Sequence, residues 1–132
     1  MASSKQIGIA VVEHAGRYLV GVRGPDVPLA GFAEFPGGKC LTDESPFDCA
    51  VRECLEETGL VVIPERLLQH KEFEYLHGQV SLHFVLCHPV NQSDVQDQHE
   101  QFQWHSTKEL RVLKFPKGNA DVIDLISQVS DE

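Results

Sequence analysis

The chain is short of positive charge. It has 11 Lys and Arg against 20 Asp and Glu, a formal net charge of −9. That balance disfavours long nucleic-acid polymers as partners, because a phosphate backbone needs basic surface. It still admits a nucleotide, provided cations bring the phosphates in. Long apolar runs are absent too. No stretch approaches the roughly 18 residues of a membrane span. The opening MASSKQ carries no apolar segment, so neither a membrane partner nor a signal peptide is expected. The four cysteines, Cys40, Cys49, Cys54 and Cys87, form no C-x-x-C pair. They read as small core residues of a reduced, cytoplasmic chain. The seven histidines show no H-E-x-x-H spacing, so no zinc site is expected. There is no internal repeat, low-complexity tract or linker. A single domain over residues 1–132 follows, large enough to bury a core.

What is present is a succession of short apolar segments. Ile7, Ile9 and Val11 begin a strand, and a turn at His14-Ala15-Gly16 leads into a second strand, Arg17 to Arg23. Gly24 to Phe32 reads as a loop. Glu34 to Lys39 is extended and broken by Pro36-Gly37-Gly38. After a helix, a short strand runs from Leu60 to Ile63. Leu67 to Leu76 and Gln79 to His88 pair about a turn at His77-Gly78. Val90 to His99 is polar and reads as a mobile loop, and Gln101 to His105 as a further strand. Ser106, three residues before Glu109, has capping-box spacing. Val122, Ile123, Leu125, Ile126 and Val129 mark an amphipathic C-terminal helix. The expected class is α/β (α+β), a mixed β-sheet between helices. His70, His77, His83 and His88 fall on or beside strands and suggest packing or surface roles.

The segment from Gly37 to Leu60, GGKCLTDESPFDCAVRECLEETGL, is the most informative. Ser45 suits an N-cap, Pro46 the first helical position, Gly59 a C-terminal stop. Phe47, Ala50, Val51 and Cys54 recur at helical spacing and should face a core. Glu53, Glu56 and Glu57 then gather on another face, where each neighbouring like-charged pair costs about 0.2–0.5 kcal/mol. A divalent cation turns that cost into a gain, since magnesium seeks carboxylate and phosphate oxygens. A solvated acidic face with Arg52 paired to Glu56 is the alternative.

Spacing singles out Gly38, Glu44, Arg52, Glu53, Cys54, Glu56, Glu57, Gly59 and Leu60. In that register the segment resembles the box G-x5-E-x7-R-E-U-x-E-E-x-G-U of the Nudix hydrolases. Cys54 departs mildly, at a position usually aliphatic. Glu34 to Lys39 and Phe115-Pro116-Lys117-Gly118-Asn119 are similar to the MutT-type members in particular. The resemblance implies a Nudix-type α/β/α sandwich. It implies hydrolysis of an oxidised dGTP (8-oxo-dGTP) to the monophosphate and pyrophosphate, a nucleotide-pool sanitation role linked to DNA repair. Other substrates remain open: an unmodified dNTP, a nucleotide sugar or a dinucleoside polyphosphate. A non-catalytic binding module of the same fold is a further alternative.

The resemblance also implies roles. Glu56 and Glu57 would hold Mg2+, with Mn2+ as a substitute. Glu53 would be a further ligand or the base that orients water, and Arg52 would orient Glu53. The Gly37 carbonyl would be another ligand, its glycine serving a close backbone approach. An additional acid is expected before the strand of Trp104, where Gln98 aligns; Glu100 is favoured, with Asp97 and His99 near it. Arg23, Phe35 and Asn119 would contact the nucleotide, Asn119 reading the base. Lys39 would touch a phosphate. Each has an ordinary alternative: surface charge for Arg23 and Lys39, core for Phe35, an N-cap for Asn119, a solvated loop acid for Glu100. Gly38, Glu44 and Gly59 would be structural. The partner would be a small nucleotide, the protein a monomer or dimer.

Overall fold

A computed structural model describes residues 5–75 and 78–130. The first four residues, Leu76 and His77 lie outside it, and with His77 half of the expected His77-Gly78 turn. The side chain of Val129 is also outside.

Eight strands form a mixed sheet: β1 (Lys5–His14), β2 (Arg17–Val22), β3 (Ala33–Glu34), β4 (Gly37–Lys39), β5 (Val62–Tyr75), β6 (Gly78–Pro89), β7 (Gln98–His99) and β8 (Phe102–His105). The spatial order is β5-β6-β1-β2-β8-β7, with β3 on β2 and β4 on β1. The β1–β6 pair is parallel and the other pairs antiparallel. Among the described residues three α-helices cover it: α1 (Pro46–Thr58), α2 (Thr107–Val112) and α3 (Ala120–Ser130).

Central strand β1 is buried without a break from Gly8 to Val12, as a strand covered on both faces should be. Alternation sorts its side chains. Ile9 and Val11 join Val20, Phe84, Leu110, Val122 and Ile126, the core beneath α2 and α3. Ala10 and Val12 join Ala50, Cys54, Leu60, Val85 and Phe102, the core beneath α1. Two apolar layers around one sheet make the expected α/β/α sandwich.

The β1–β2 hairpin turns through Ala15 (φ 53°) and Gly16 (φ 80°), both left-handed, as a two-residue hairpin loop with native twist requires. Beyond the hairpin end, β1 and β2 separate. On the edge of β1, β4 takes over at Ile7–Ile9, and on the edge of β2, β3 takes over at Gly21–Val22. The segment from Ala33 to Lys39 thus fills the opening between two central strands.

The caps of α1 form as the sequence suggests. Ser45 Oγ accepts from the Asp48 N–H at 3.0 Å. Gly59 takes φ 77° and donates to the Leu55 carbonyl. Its inward face differs from expectation. Phe47 is 36% exposed, while Cys49, Ala50, Cys54 and Thr58 are buried. Glycine at position 8 explains the exchange: a Cβ there would lie 2.7 Å from Cys49 Sγ, so the missing side chain makes room for the thiol.

Two further expectations are corrected. The two strands expected on either side of Pro64 are, among the described residues, one strand, β5 from Val62 to Tyr75, carried past Pro64 by register shifts between Pro64 and Arg66 and between Leu67 and Gln69. The polar stretch 90–99 holds a 3-10 turn at Gln92–Asp94 and strand β7. It is also pinned: the Trp104 indole donates to the Gln96 carbonyl at 2.7 Å, and buried His99 accepts from the Gln96 N–H at 3.0 Å. The capping box at Ser106 and Glu109 is present. Among the described residues, no helix is long and apolar enough to cross a membrane.

Gly8→Ala should lower stability by about 1–3 kcal/mol, the usual cost of overpacking a filled interior. Chemical denaturation measures it. An unchanged midpoint would mean that α1 does not lie this close to β1.

Candidate active site

The outer face of α1 is organised by one guanidinium. Arg52 Nε and Nη2 donate to the two oxygens of Glu44, at 2.8 and 2.9 Å. Nη1 lies 3.1 Å from Glu53 Oε1 and 3.1 Å from each Glu56 oxygen. Nη2 also reaches the Lys39 carbonyl at 3.2 Å. This forked, charge-assisted pairing fixes the loop before α1 to the helix. It draws Glu44, first through the Arg52 bond and then the Leu41 N–H, down to a pKa of about 2.

Glu57 stands apart from that network. Its Oε2 accepts from the Gly37 N–H at 3.1 Å. Burial, then the charges of Glu53, Glu34 and Glu56, push its pKa up to about 7 despite that hydrogen bond. An acid so placed, desolvated and faced by three carboxylates, would be relieved by a bound cation. A hard divalent ion fits this donor set. Arg52 holds Glu53 and Glu56, and the Gly37 N–H holds Glu57.

The glycines are required by close approach. A Cβ on Gly38 would lie 2.5 Å from the Glu53 carboxylate. A Cβ on Gly37 would lie 2.7 Å from the Gly8 carbonyl. Strand β1 therefore itself demands glycine at position 37.

Next to these glycines opens a cleft of about 250 Å³, lined by Arg23, Glu34, Phe35, Gly37, Gly38 and Asn119 among others. Phe35 is buried and packs on Phe115, ring centroids 5.2 Å apart. Arg23 is held by the Pro28 carbonyl at 2.6 Å and by Glu34 at 2.9 Å. Asn119 Nδ2 donates to the Pro116 carbonyl at 3.4 Å, from the residue just before α3. A second cavity, about 230 Å³ with Glu13, Tyr18, Arg66 and His88 on its wall, touches none of these residues. In that region His88 lies 2.8 Å from both Glu13 and Glu65. His70 and His83 stack across β5 and β6, centroids 4.3 Å apart.

The fold thus brings together Arg23, Phe35, Gly37, Gly38 and Asn119, with Glu57 bonded to the same backbone. Lys39 is not on the cleft wall. It lines a separate depression with Lys5, Cys40 and Glu44. Glu100 is exposed in the β7–β8 turn with φ 56°. The sequence reading missed Glu34. It pairs with Arg23, lines the cleft and acts on Glu57. The only signal was an acid directly before the Phe35-Pro36-Gly37-Gly38 break.

A family model, the NUDIX domain, matches residues 8–125. The chain is a Nudix hydrolase. It acts on phosphoanhydride bonds of small nucleotides, and Nudix hydrolases generally use divalent metal ions. It is 30% identical over 95 residues to the 8-oxo-dGTP diphosphatase of Buchnera aphidicola, covering 72% of this chain and 77% of that protein. It is 28% identical over 123 residues to the CTP pyrophosphohydrolase of Escherichia coli, covering 89% and 85%. In fold, the crystal structure of a MutT protein from Methanosarcina mazei superposes with TM-score 0.77 at 22% identity, covering 99% of this chain and 98% of that one.

The raised Glu57 has a consequence for stability. A carboxyl whose pKa is higher in the folded than the unfolded state favours folding less as pH rises between the two values. Metal-free protein should therefore lose stability from about pH 4.5 to about pH 7 through Glu57, relative to Glu57→Gln. Thermal melts of both proteins in chelator should diverge over that window. Parallel curves would contradict the assigned environment.

Proposed function

We propose that this Nudix hydrolase converts an oxidised purine nucleoside triphosphate, 8-oxo-dGTP, to the monophosphate and pyrophosphate. One observation carries the reading. A single cleft joins the glycine turn beside the acidic helix to Phe35, Arg23 and Asn119. Phosphate chemistry and a base-sized apolar wall are thereby adjacent. The name of the Buchnera relative points to the same substrate.

Glu56 and Glu57 would hold Mg2+, or Mn2+ in its place, with Glu53, the Gly37 carbonyl and Glu100 as further ligands. Such ions, when bound, neutralise the phosphates and the charge that develops on attacking and leaving oxygens. The remaining work belongs to the chain. Glu53, held by Arg52 and backed by Gly38, orients the attacking water when it is not itself a ligand. Water adds to the β-phosphorus and the bond to the α-phosphate oxygen breaks, releasing monophosphate and pyrophosphate. Phe35 offers its ring to the base. The Asn119 amide can both donate and accept, which suits a guanine edge. Arg23 brings a fixed positive charge to the cleft wall.

The CTP pyrophosphohydrolase relative supports a second reading, a pyrimidine triphosphate as substrate, since it is about as similar over a longer span. A nucleotide panel ranked by kcat/KM separates the two.

Glu57→Gln should fold and lose on the order of 100-fold in metal-dependent pyrophosphate release, a loss of about 2.7 kcal/mol of charge stabilisation. Retained turnover would remove the metal assignment. Asn119→Ala should raise KM for 8-oxo-dGTP by about tenfold while leaving KM for dCTP nearly unchanged, the loss of one or two base hydrogen bonds. Equal effects on both nucleotides would remove its role in base recognition.

A further inference from the structure

Away from the cleft, side chains of a softer chemistry converge. Cys40 Sγ, Cys49 Sγ and a Glu44 carboxylate oxygen all lie within 4.8 Å of one another. Cys40 follows β4, Cys49 sits in the first turns of α1, and Glu44 belongs to the loop between. Cys40 and Glu44 also line an open depression of about 390 Å³, together with Lys39 and Thr42. Cys40 and Glu44 are thus reachable from solvent, while the Cys49 thiol lies buried behind them. Cys54 and Cys87 belong to the apolar core, and neither is grouped with a carboxylate and a second thiol as Cys49 is.

Thiolate sulfur prefers zinc and cadmium to magnesium. On a tetrahedral zinc ion, with bonds of about 2.0–2.3 Å, neighbouring ligand atoms stand about 3.5–4 Å apart. The three atoms here need to close by about 1 Å at most to meet that spacing. The open side leaves a fourth position for water.

We propose that Cys40, Cys49 and Glu44 form a binding site for a thiophilic divalent cation of the zinc or cadmium type, whose occupation inhibits the enzyme by drawing Glu44 away from Arg52. The site is distinct from the carboxylate cluster and goes beyond the substrate assignment. Its coupling to that cluster runs through two contacts. Both Glu44 oxygens accept from Arg52, and the same guanidinium holds Glu53 and Glu56. The Cys49 thiol donates to the Gly38 carbonyl at 3.4 Å, and Gly38 lies against the Glu53 carboxylate. An ion on the two sulfurs and Glu44 removes both restraints on Glu53. Binding releases two thiol protons to solvent, with no change of oxidation state. Burial, and then Cys40, push the Cys49 thiol up to about 12. The proton therefore stays on sulfur until a metal displaces it.

The test is a cadmium titration of the reduced enzyme in saturating magnesium. Ultraviolet thiolate-to-metal absorbance and pyrophosphate release are followed together. The expected result is an absorbance that saturates at a single ion per chain, with inhibition tracking it and excess magnesium failing to reverse it. Cys40→Ser, outside the catalytic machinery, should keep its basal turnover and lose most of the absorbance. It should need about tenfold more cadmium for half inhibition, the scale expected for a lost ligand. Undiminished absorbance in Cys40→Ser would place the ion on other thiols and overturn the site. Inhibition that magnesium reverses, and that Cys40→Ser leaves unchanged, would place it at the catalytic carboxylates and overturn the proposed coupling.

Discussion

Carboxylates crowded on one helix face repel one another, and the structure meets that repulsion in two ways. Arg52 neutralises one side of the cluster. Its fork binds Glu44 through two bonds and its remaining nitrogen reaches Glu53 and Glu56. Glu57 stands on the other side with a backbone N–H as its partner, and burial with three like charges raises its pKa to about 7. The two solutions have different consequences. The Arg52 side is an anchor that holds the Glu44 carboxyl well below the ordinary carboxylate range. The Glu57 side is a crowded set of carboxylates that a divalent ion, when bound, would relieve. A solvated acidic face would not show this asymmetry, because none of its carboxyls would be raised by burial.

The second constraint is geometrical. Strands β1 and β2 separate beyond their hairpin, and the segment from Ala33 to Lys39 is inserted between them. That insertion brings Glu34 and Phe35 to the cleft and sets Gly37 against Gly8 and Gly38 against Glu53. Three close backbone approaches, at Gly8, Gly37 and Gly38, let α1 and β4 stack on β1 without side chains between them. The distance from helix carboxylates to cleft is thus set by absent atoms as much as by present ones.

Local signals in the sequence were reliable where they are self-contained. The caps of α1 at Ser45 and Gly59, the capping box at Ser106, and the turn at Ala15-Gly16 each depend on a few adjacent residues. Signals that depend on distant partners were not legible. Phe47 and Cys49 exchange places because of Gly8, forty residues away. Strand β5 runs through Pro64 because bulges against β6 absorb the irregularity. The loop before Trp104 is pinned by His99 and the indole, which no periodicity reveals. The box residues were readable in full, since one helix carries most of them. Arg23, Phe35 and Asn119 were readable only by resemblance, and the fold does bring them to one wall. Lys39 falls outside that wall, and Glu34 falls inside it unnoticed, because the break at Pro36-Gly37 hides which side of the inserted segment faces the cleft.

The account rests on the claim that the Glu57 side of α1 holds the cations that hold a polyphosphate. A crystal structure with Mn2+ and a non-hydrolysable triphosphate analogue tests it most directly, since manganese can be located by its anomalous signal. The account predicts manganese on carboxylate oxygens of Glu56 and Glu57, bridging to the phosphates, with the base against Phe35 and Asn119. Manganese bound only elsewhere, with Glu57 still on the Gly37 N–H and the phosphates remote from α1, would contradict it.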